Sequence, residues 1–137
     1  MQGEGCKNMK KNDLSDRILD FAAHIISLTG ELEKTYTGKY IAGQLMRSAA
    51  SSGANYEEAC GAESRADFLH KMQIVLKELK ESTYWLRLLD KAKIVQAEKT
   101  TKALQEAKEL CNIMASSIVT AKKNLAKGGK PHDKVTF

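Results

Sequence analysis

Two acid and histidine pairs are the residues whose spacing could bind a metal ion. Asp67 and His70 lie three residues apart, and Asp20 and His24 lie four apart, so each pair would share one face of a helix. Di-iron sites in helical bundles need carboxylates from all four helices and two Glu-x-x-His pairs. This chain approximates one such pair, and it has no Gly-rich phosphate loop, GxSxG or HExxH motif. We therefore predict no metal, no cofactor and no enzymatic activity.

The three cysteines, Cys6, Cys60 and Cys111, form no CxxC pair and have no histidine at metal-ligand spacing. An odd count of this kind is typical of reduced thiols in a reducing compartment. Cys60 and Cys111 fall on apolar helical stripes, which favours small buried residues over catalytic ones. No apolar run is long enough to span a membrane, and residues 1–11 lack the apolar block of a secretory signal. We expect a cytoplasmic protein.

The net charge of +5 comes from the two ends of the chain. Residues 1–11 carry a net charge of +2 and residues 121–137 a net charge of +4, which leaves residues 12–120 at −1. A basic end is compatible with a polyanion partner, although lysine-rich ends also occur on proteins that bind none. The candidate nucleic-acid-binding residues are the lysines of this end, Lys122, Lys123, Lys127 and Lys130, with Lys134 beyond them.

Apolar residues with a helical period define the first and last long segments. The first steps by alternating fours and threes from Leu14 to Leu32, with Asp13 as a plausible N-cap, and the last does so from Leu104 to Leu125. Between them, Ser64 and Asp67 form the capping pattern that opens a helix running to about Leu89. No segment shows the alternation expected of a strand. The sequence therefore predicts an all-helical protein.

The remaining helix, about residues 38–60, continues after Leu45 with small side chains where larger apolar ones are expected. Its stretch RSAASSGANYEEAC contains Gly53, which costs about 1 kcal/mol relative to alanine inside a helix. That cost is tolerable if another helix or subunit packs against the bare backbone. Four helices with short connections predict one up-and-down four-helix bundle. We expect a flexible segment at 1–12, the bundle at 13–127 and a flexible basic tail at 128–137.

Residues 44–89, QLMRSAASSGANYEEACGAESRADFLHKMQIVLKELKESTYWLRLL, resemble the central signature of the S23 or 23S rRNA intervening-sequence protein family. Many members carry Pro and Gly where this chain has Gly53 and Ala59, which puts in doubt any kink that a proline would impose. The residues that match the family pattern are Gln44, Leu45, Arg47, Asn55, Glu58, Ser64 and Phe68.

The resemblance implies a left-handed four-helix bundle without enzymatic activity that assembles into a homo-oligomeric ring, with a pentamer as the expected form. Members of this family are similar to the accessory protein of diversity-generating retroelements. That protein forms a ring and binds nucleic acid together with a reverse transcriptase. Other members are encoded inside inserts in ribosomal RNA genes. The implied partners are further copies of the chain, structured RNA or DNA, and a protein partner, with no membrane.

Two interpretations of the signature helix stay open. Arg47, Asn55 and Glu58 are spaced by 8 and 3, which places them on one side of a helix. They could form one buried or subunit-spanning hydrogen-bonded set. Alternatively, Arg47 and Glu58 bind neighbouring helices and hold no ligand, which we favour because the surrounding Ala and Ser residues suit close packing.

Two functions remain for the whole protein. The first is an adaptor or scaffold that binds nucleic acid through its basic end. Because Tyr56, Tyr84 and Trp85 are expected to pack against neighbouring helices, such binding would depend on the phosphate backbone more than on base stacking. The second is a ring that binds only protein, whose lysines maintain solubility. The two differ in salt dependence, since only polyanion binding should weaken steeply as salt rises.

Overall fold

The structure is a computed structural model that describes residues 13–128. Its four helices are α1 (Asp13–Thr29), α2 (Tyr36–Cys60), α3 (Arg65–Ala92) and α4 (Ala97–Gly128). The described residues contain no strand, and the predicted all-helical class is confirmed. The predictions of flexible ends at 1–12 and 128–137 fall outside the described residues, except that Gly128 is the last residue of α4.

The first helix is shorter than its apolar pattern predicts. It ends at Thr29, and Leu32 lies in the following turn, yet Leu32 is buried to 3% exposure. The turn packs against the start of α2, where a Cβ on Gly38 would meet the Leu32 carbonyl group and lie 2.9 Å from Thr35 Oγ1. Glycine at position 38 therefore allows the connection to fold back far enough to bury Leu32.

Hydrogen bonds from side chains fix where α2 and α3 begin. Thr35 Oγ1 accepts the backbone N–H of Gly38 at 3.0 Å, and Ser64 Oγ accepts that of Asp67 at 3.0 Å. The second bond confirms the capping pattern predicted at Ser64. Lys93, in the left-handed region at φ 57°, ends α3. The bonds accepted by Thr35 and Ser64 each satisfy a backbone amide that would otherwise lack a partner in the first helical turn.

One core runs through the described bundle. The most extensive packing joins α2 to α3 and α3 to α4, α1 packs on α2, and the least extensive packing joins α1 to α4. This order of neighbours is that of an up-and-down bundle. No helix between residues 13 and 128 is long and apolar enough to cross a membrane. The largest fully buried apolar side chains are Ile18, Ile25, Leu45, Met72, Val75, Leu79, Leu86, Leu89, Leu110 and Met114.

Candidate functional site

Small polar residues of α2 and α3 lie where these two helices pack together. Ser48, Ser52 and Ser82 have no exposed surface. The Ser48 and Ser82 hydroxyls lie 2.7 Å apart, and Ser48 and Ser52 also donate to the carbonyls of Leu45 and Ala49 in their own helix. Since every hydroxyl has a partner, the polar atoms are buried without a large penalty. The serines of the signature thus permit a close helix contact.

Arg47 of the signature binds two carboxylates of α3. Its Nη1 lies 3.4 Å from Glu78 Oε1, and its Nη2 donates to Glu81. Trp85 Nε1 also donates to Glu81 Oε2, at 3.1 Å. The hydrogen bond from Arg47, followed by that from Trp85, lowers the pKa of Glu81. Half of the Arg47 side chain is exposed, so this cluster lies on the surface of one subunit.

Asn55 and Glu58 do not join Arg47. Asn55 Nδ2 donates to the Ser51 carbonyl at 2.9 Å, and Glu58 Oε1 lies 2.7 Å from Lys71 Nζ of α3. A single hydrogen-bonded set of Arg47, Asn55 and Glu58 is therefore not present in the subunit. The contacts agree with the other interpretation, in which Arg47 and Glu58 bind the neighbouring helix.

The other signature residues also contribute to packing. A Cβ added to Gly53 would lie 3.5 Å from Ile18 Cγ2, so Gly53 faces α1 at an ordinary van der Waals distance that leaves room for a methyl group. Phe68 packs against the core, and Gln44 is half-buried. At Gly38, by contrast, an added Cβ would clash with the backbone carbonyl of Leu32. The sequence analysis did not identify Gly38 as a position of close contact.

The predicted nucleic-acid-binding lysines lie on the last turns of α4. Lys122, Lys123 and Lys127 are exposed, and none of them forms an ion pair with another described residue. Arg65, at the start of α3, donates from Nη1 to the Asn124 carbonyl at 3.2 Å and so brings a fourth cation to this end. Lys130 and Lys134 lie outside the described residues.

The aromatic residues do not all pack as expected. Tyr56 is 3% exposed, and burial, with a smaller effect of Glu57, raises its pKa to about 12. Tyr84 and Tyr40, by contrast, are each 55% exposed. Both rings make edge-to-face contacts with the partly buried Trp85. The expectation that Tyr84 is covered by a neighbouring helix is therefore wrong, because its position faces away from both neighbours of α3.

A cleft of about 590 Å³ lies where α1 meets α4 and includes Asp20 and His24. His24 Nε2 is buried there with no hydrogen-bond partner. Arg17 crosses the same contact as a two-pronged donor to Glu106, at 2.7 and 2.8 Å, and reaches Glu109 at 2.6 Å. Among residues 13–128, no three His, Cys, Asp or Glu side chains are placed to share a metal ion.

The cysteines differ from one another. Cys111 is a half-buried free thiol whose pKa is raised by burial, and Thr83 Oγ1 lies 3.9 Å from its sulfur. Cys60 is buried, as expected. Cys6 lies outside the described residues.

The helix order, the serine-lined α2–α3 contact and the capped start of α3 define a small four-helix bundle protein. The family model for the 23S rRNA-intervening sequence protein matches residues 10–116, and the chain belongs to that family. A crystal structure of a protein with unknown function from the S23 ribosomal protein family of Bacteroides thetaiotaomicron is similar. It is 36% identical with a TM-score of 0.72, and the match covers 76% of this chain and 96% of that one. A comparison with curated proteins finds no match.

Proposed function

We propose that this protein is a non-enzymatic, self-associating bundle that binds the phosphates of structured RNA or DNA through the end of α4. The observation that carries the proposal is the group of three exposed lysines on its last turns, Lys122, Lys123 and Lys127, each without a carboxylate partner in the described chain. Lysines free of internal ion pairs can replace the counterions of a nucleic acid.

The geometry of this end suits backbone contacts. Lys123 and Lys127 are four residues apart and share one face of α4, while Lys122 lies about a quarter turn away. No aromatic residue follows Trp85 within the described chain. Binding here therefore depends on charge and tolerates different shapes and sequences. In a ring, repetition of the end around the axis would add individually weak contacts together.

Fluorescence anisotropy of a labelled hairpin RNA and a labelled duplex DNA, measured from low to high salt, tests the proposal. The variant Lys122→Gln/Lys123→Gln/Lys127→Gln should bind more weakly and with a shallower salt dependence. The matched control, Lys34→Gln/Lys102→Gln/Lys108→Gln, removes the same charge from exposed lysines elsewhere. Equal losses in the two variants, or no binding by the wild type at low salt, would contradict the proposal.

A second candidate, a ring that binds only protein, is favoured by the outer face of α1. Leu19 and Ile26 are seven residues apart on this face and are 65% and 57% exposed, with the exposed Ala23 between them. An exposed apolar stripe at this spacing is suited to contact with a second copy of the chain. We include such an interface in both candidate functions, with a pentamer as the expected assembly.

Light scattering coupled to size exclusion measures the mass of the assembly. Leu19→Lys/Ile26→Lys should reduce the mass to that of smaller species, whereas Val119→Lys, at an exposed apolar position on α4, should leave it unchanged. The wild-type mass should persist in high salt because the interface is apolar. A wild-type monomer would exclude the ring, and an unchanged mass in the double variant would exclude this face.

A further inference from the structure

The exposed face of α3 carries a regular row of four cations and one tyrosine that charge counting along the chain does not reveal. Its spacings of 3, 4, 3 and 4 keep the row on one side of the helix. Every member is exposed in the structure. The row, here called the α3 stripe, consists of Lys77, Lys80, Tyr84, Arg87 and Lys91.

The carboxylates nearest to the α3 stripe are engaged in other contacts. Glu78 and Glu81 lie on the side of α3 that faces α2, where both accept from Arg47. Asp90 lies on the opposite side and accepts from Thr100 Oγ1 at 3.3 Å. Between residues 77 and 91 the helix has no other acidic residue. The stripe is therefore a cationic surface within a bundle whose net charge is close to zero.

The one aromatic ring of the stripe is supported from behind. Tyr84 is 55% exposed, and its ring centroid lies 5.1 Å from that of Trp85 at an interplanar angle of 74°. Trp85 also contacts Tyr40 of α2 at 6.2 Å and 80°, and it is fixed by its hydrogen bond to Glu81. Edge-to-face contacts of this kind orient a ring without covering its outer side. Tyr84 thus presents an exposed, partly fixed ring among four cations.

We propose that the α3 stripe binds single-stranded nucleic acid, with its cations contacting phosphates and Tyr84 stacking on a base. The stripe spans about 21 Å from Lys77 to Lys91, enough for several successive phosphates. An exposed aromatic ring between cations is the arrangement that favours an unpaired strand, because the bases of a duplex are already stacked on each other. This inference uses none of the α4 lysines and does not depend on their role.

Trp85 provides a direct readout because it is the single tryptophan of the chain. It lies against Tyr84, so a base that stacks on Tyr84 should change the emission of Trp85. Binding at the end of α4 should not, since the two regions lie at different ends of the antiparallel α3 and α4 pair, as the contact of Arg65 with Asn124 shows.

The experiment titrates a fluorescein-labelled oligo(dT) dodecamer against the full chain, with anisotropy and Trp85 emission recorded over a salt series. Lys77→Gln/Lys80→Gln/Lys91→Gln is compared with the two triple variants above, which remove equal charge from the end of α4 and from unrelated positions. Tyr84→Leu removes the ring, and Tyr84→Phe keeps it. Circular dichroism and thermal melting confirm that each variant is folded.

We expect the stripe variant to weaken binding at least tenfold and to reduce the salt slope by about 2, as expected for the loss of three phosphate contacts to a single strand. Tyr84→Leu should weaken binding by roughly tenfold and abolish the change in Trp85 emission, while Tyr84→Phe should bind like the wild type. Duplex DNA of equal length should compete poorly for the stripe.

Two results would overturn the inference: a stripe variant that binds like the unrelated-lysine control, or a Tyr84→Leu variant that binds like the wild type. Competition by polyglutamate equal to that of the dodecamer would also overturn it, because the stripe would then be a general anion surface. Loss of dodecamer binding only in the α4 variant would reject this inference. Loss only in the stripe variant would support it, and the proposed function is tested separately by the hairpin and duplex titration.

Discussion

The α2–α3 contact and the α1–α4 contact are built in different ways. At the first, Ser48, Ser52 and Ser82 are completely buried and the helices pack closely. At the second, the helices leave a cleft, and Arg17 bridges it to Glu106 and Glu109. The first contact is held by burial of small groups and the second by side chains that cross a gap. The difference shows that the recognisable signature of the chain lies on its most tightly packed pair of helices.

That result separates the residues that identify the family from those that could bind a partner. Arg47 and Glu58 bind α3 within one subunit, and the serines serve close packing. The surfaces available to a partner are the α3 stripe, the end of α4 and the outer face of α1. The residues that match the family pattern therefore specify the bundle, and the surfaces available to a partner consist of other residues.

The difference in packing between the α2–α3 and α1–α4 contacts should have its largest effect on stability when one side chain at each contact is enlarged. Ser82→Leu inserts three carbons where no space exists and displaces the partner of the Ser48 hydroxyl, so we expect a loss of about 2–3 kcal/mol in the free energy of unfolding. Thr101→Leu places the same side chain in the cleft and should change that free energy by less than about 0.5 kcal/mol. Urea unfolding followed by circular dichroism measures both.

Ser82→Ala serves as the control, because it removes the hydroxyl without adding volume and should cost less than Ser82→Leu. Equal losses for the two leucine variants would show that the α1–α4 contact is as tightly packed as the α2–α3 contact.

Much of this fold follows from the apolar period of the sequence. The helices and the cap at Ser64 could be predicted because they depend on local spacing and on one side chain near its own backbone. The end of α1 could not, since Leu32 keeps the helical period while lying in a turn that Gly38 allows to fold back. An apolar residue at helical spacing can be buried either in a helix or in the connection that follows it, and the sequence does not distinguish the two.

The candidate surfaces were harder to predict for a different reason. Charge counted along the chain drew attention to Lys122 and Lys123, whereas three of the four cations of the α3 stripe are cancelled in that count by Glu78, Glu81 and Asp90. The structure places Glu78 and Glu81 beside Arg47, on the side of α3 that faces α2, and leaves the cations of the stripe on the exposed side of the helix. The heptad spacing of the stripe was present in the sequence and could have been found by counting charge around the helix rather than along it.

Removing the cation at each contact should give a smaller difference, and in the opposite order, with the greater loss at the α1–α4 contact. Arg17→Met breaks a two-pronged pair with Glu106 at a contact that has little other packing, so we expect a loss of about 1 kcal/mol. Arg47→Met breaks an exposed cluster above a well-packed contact and should cost about 0.5 kcal/mol or less. Methionine keeps the apolar stem in both variants. A greater loss for Arg47→Met in urea unfolding would contradict this order.

Acid should weaken the α2–α3 contact through Glu81 and the α1–α4 contact through Glu109. We expect this effect to be smaller than those of enlarging a side chain or removing a cation. The pKa of Glu81 is lowered chiefly by Arg47, and that of Glu109 is lowered first by Gln105 and then by Arg17. A lowered pKa in the folded protein means that the stabilisation is present above the usual carboxyl value of 4.5 and is lost as the pH falls through the folded value. Thermal melts from pH 7 to pH 3 should therefore show a shallower acid dependence in Glu81→Gln and Glu109→Gln than in the wild type. Because Gln105 lowers the pKa of Glu109 more than Arg17 does, adding Glu109→Gln to Arg17→Met should flatten the profile further than Arg17→Met alone. No further flattening would show that Glu109 acts only through Arg17.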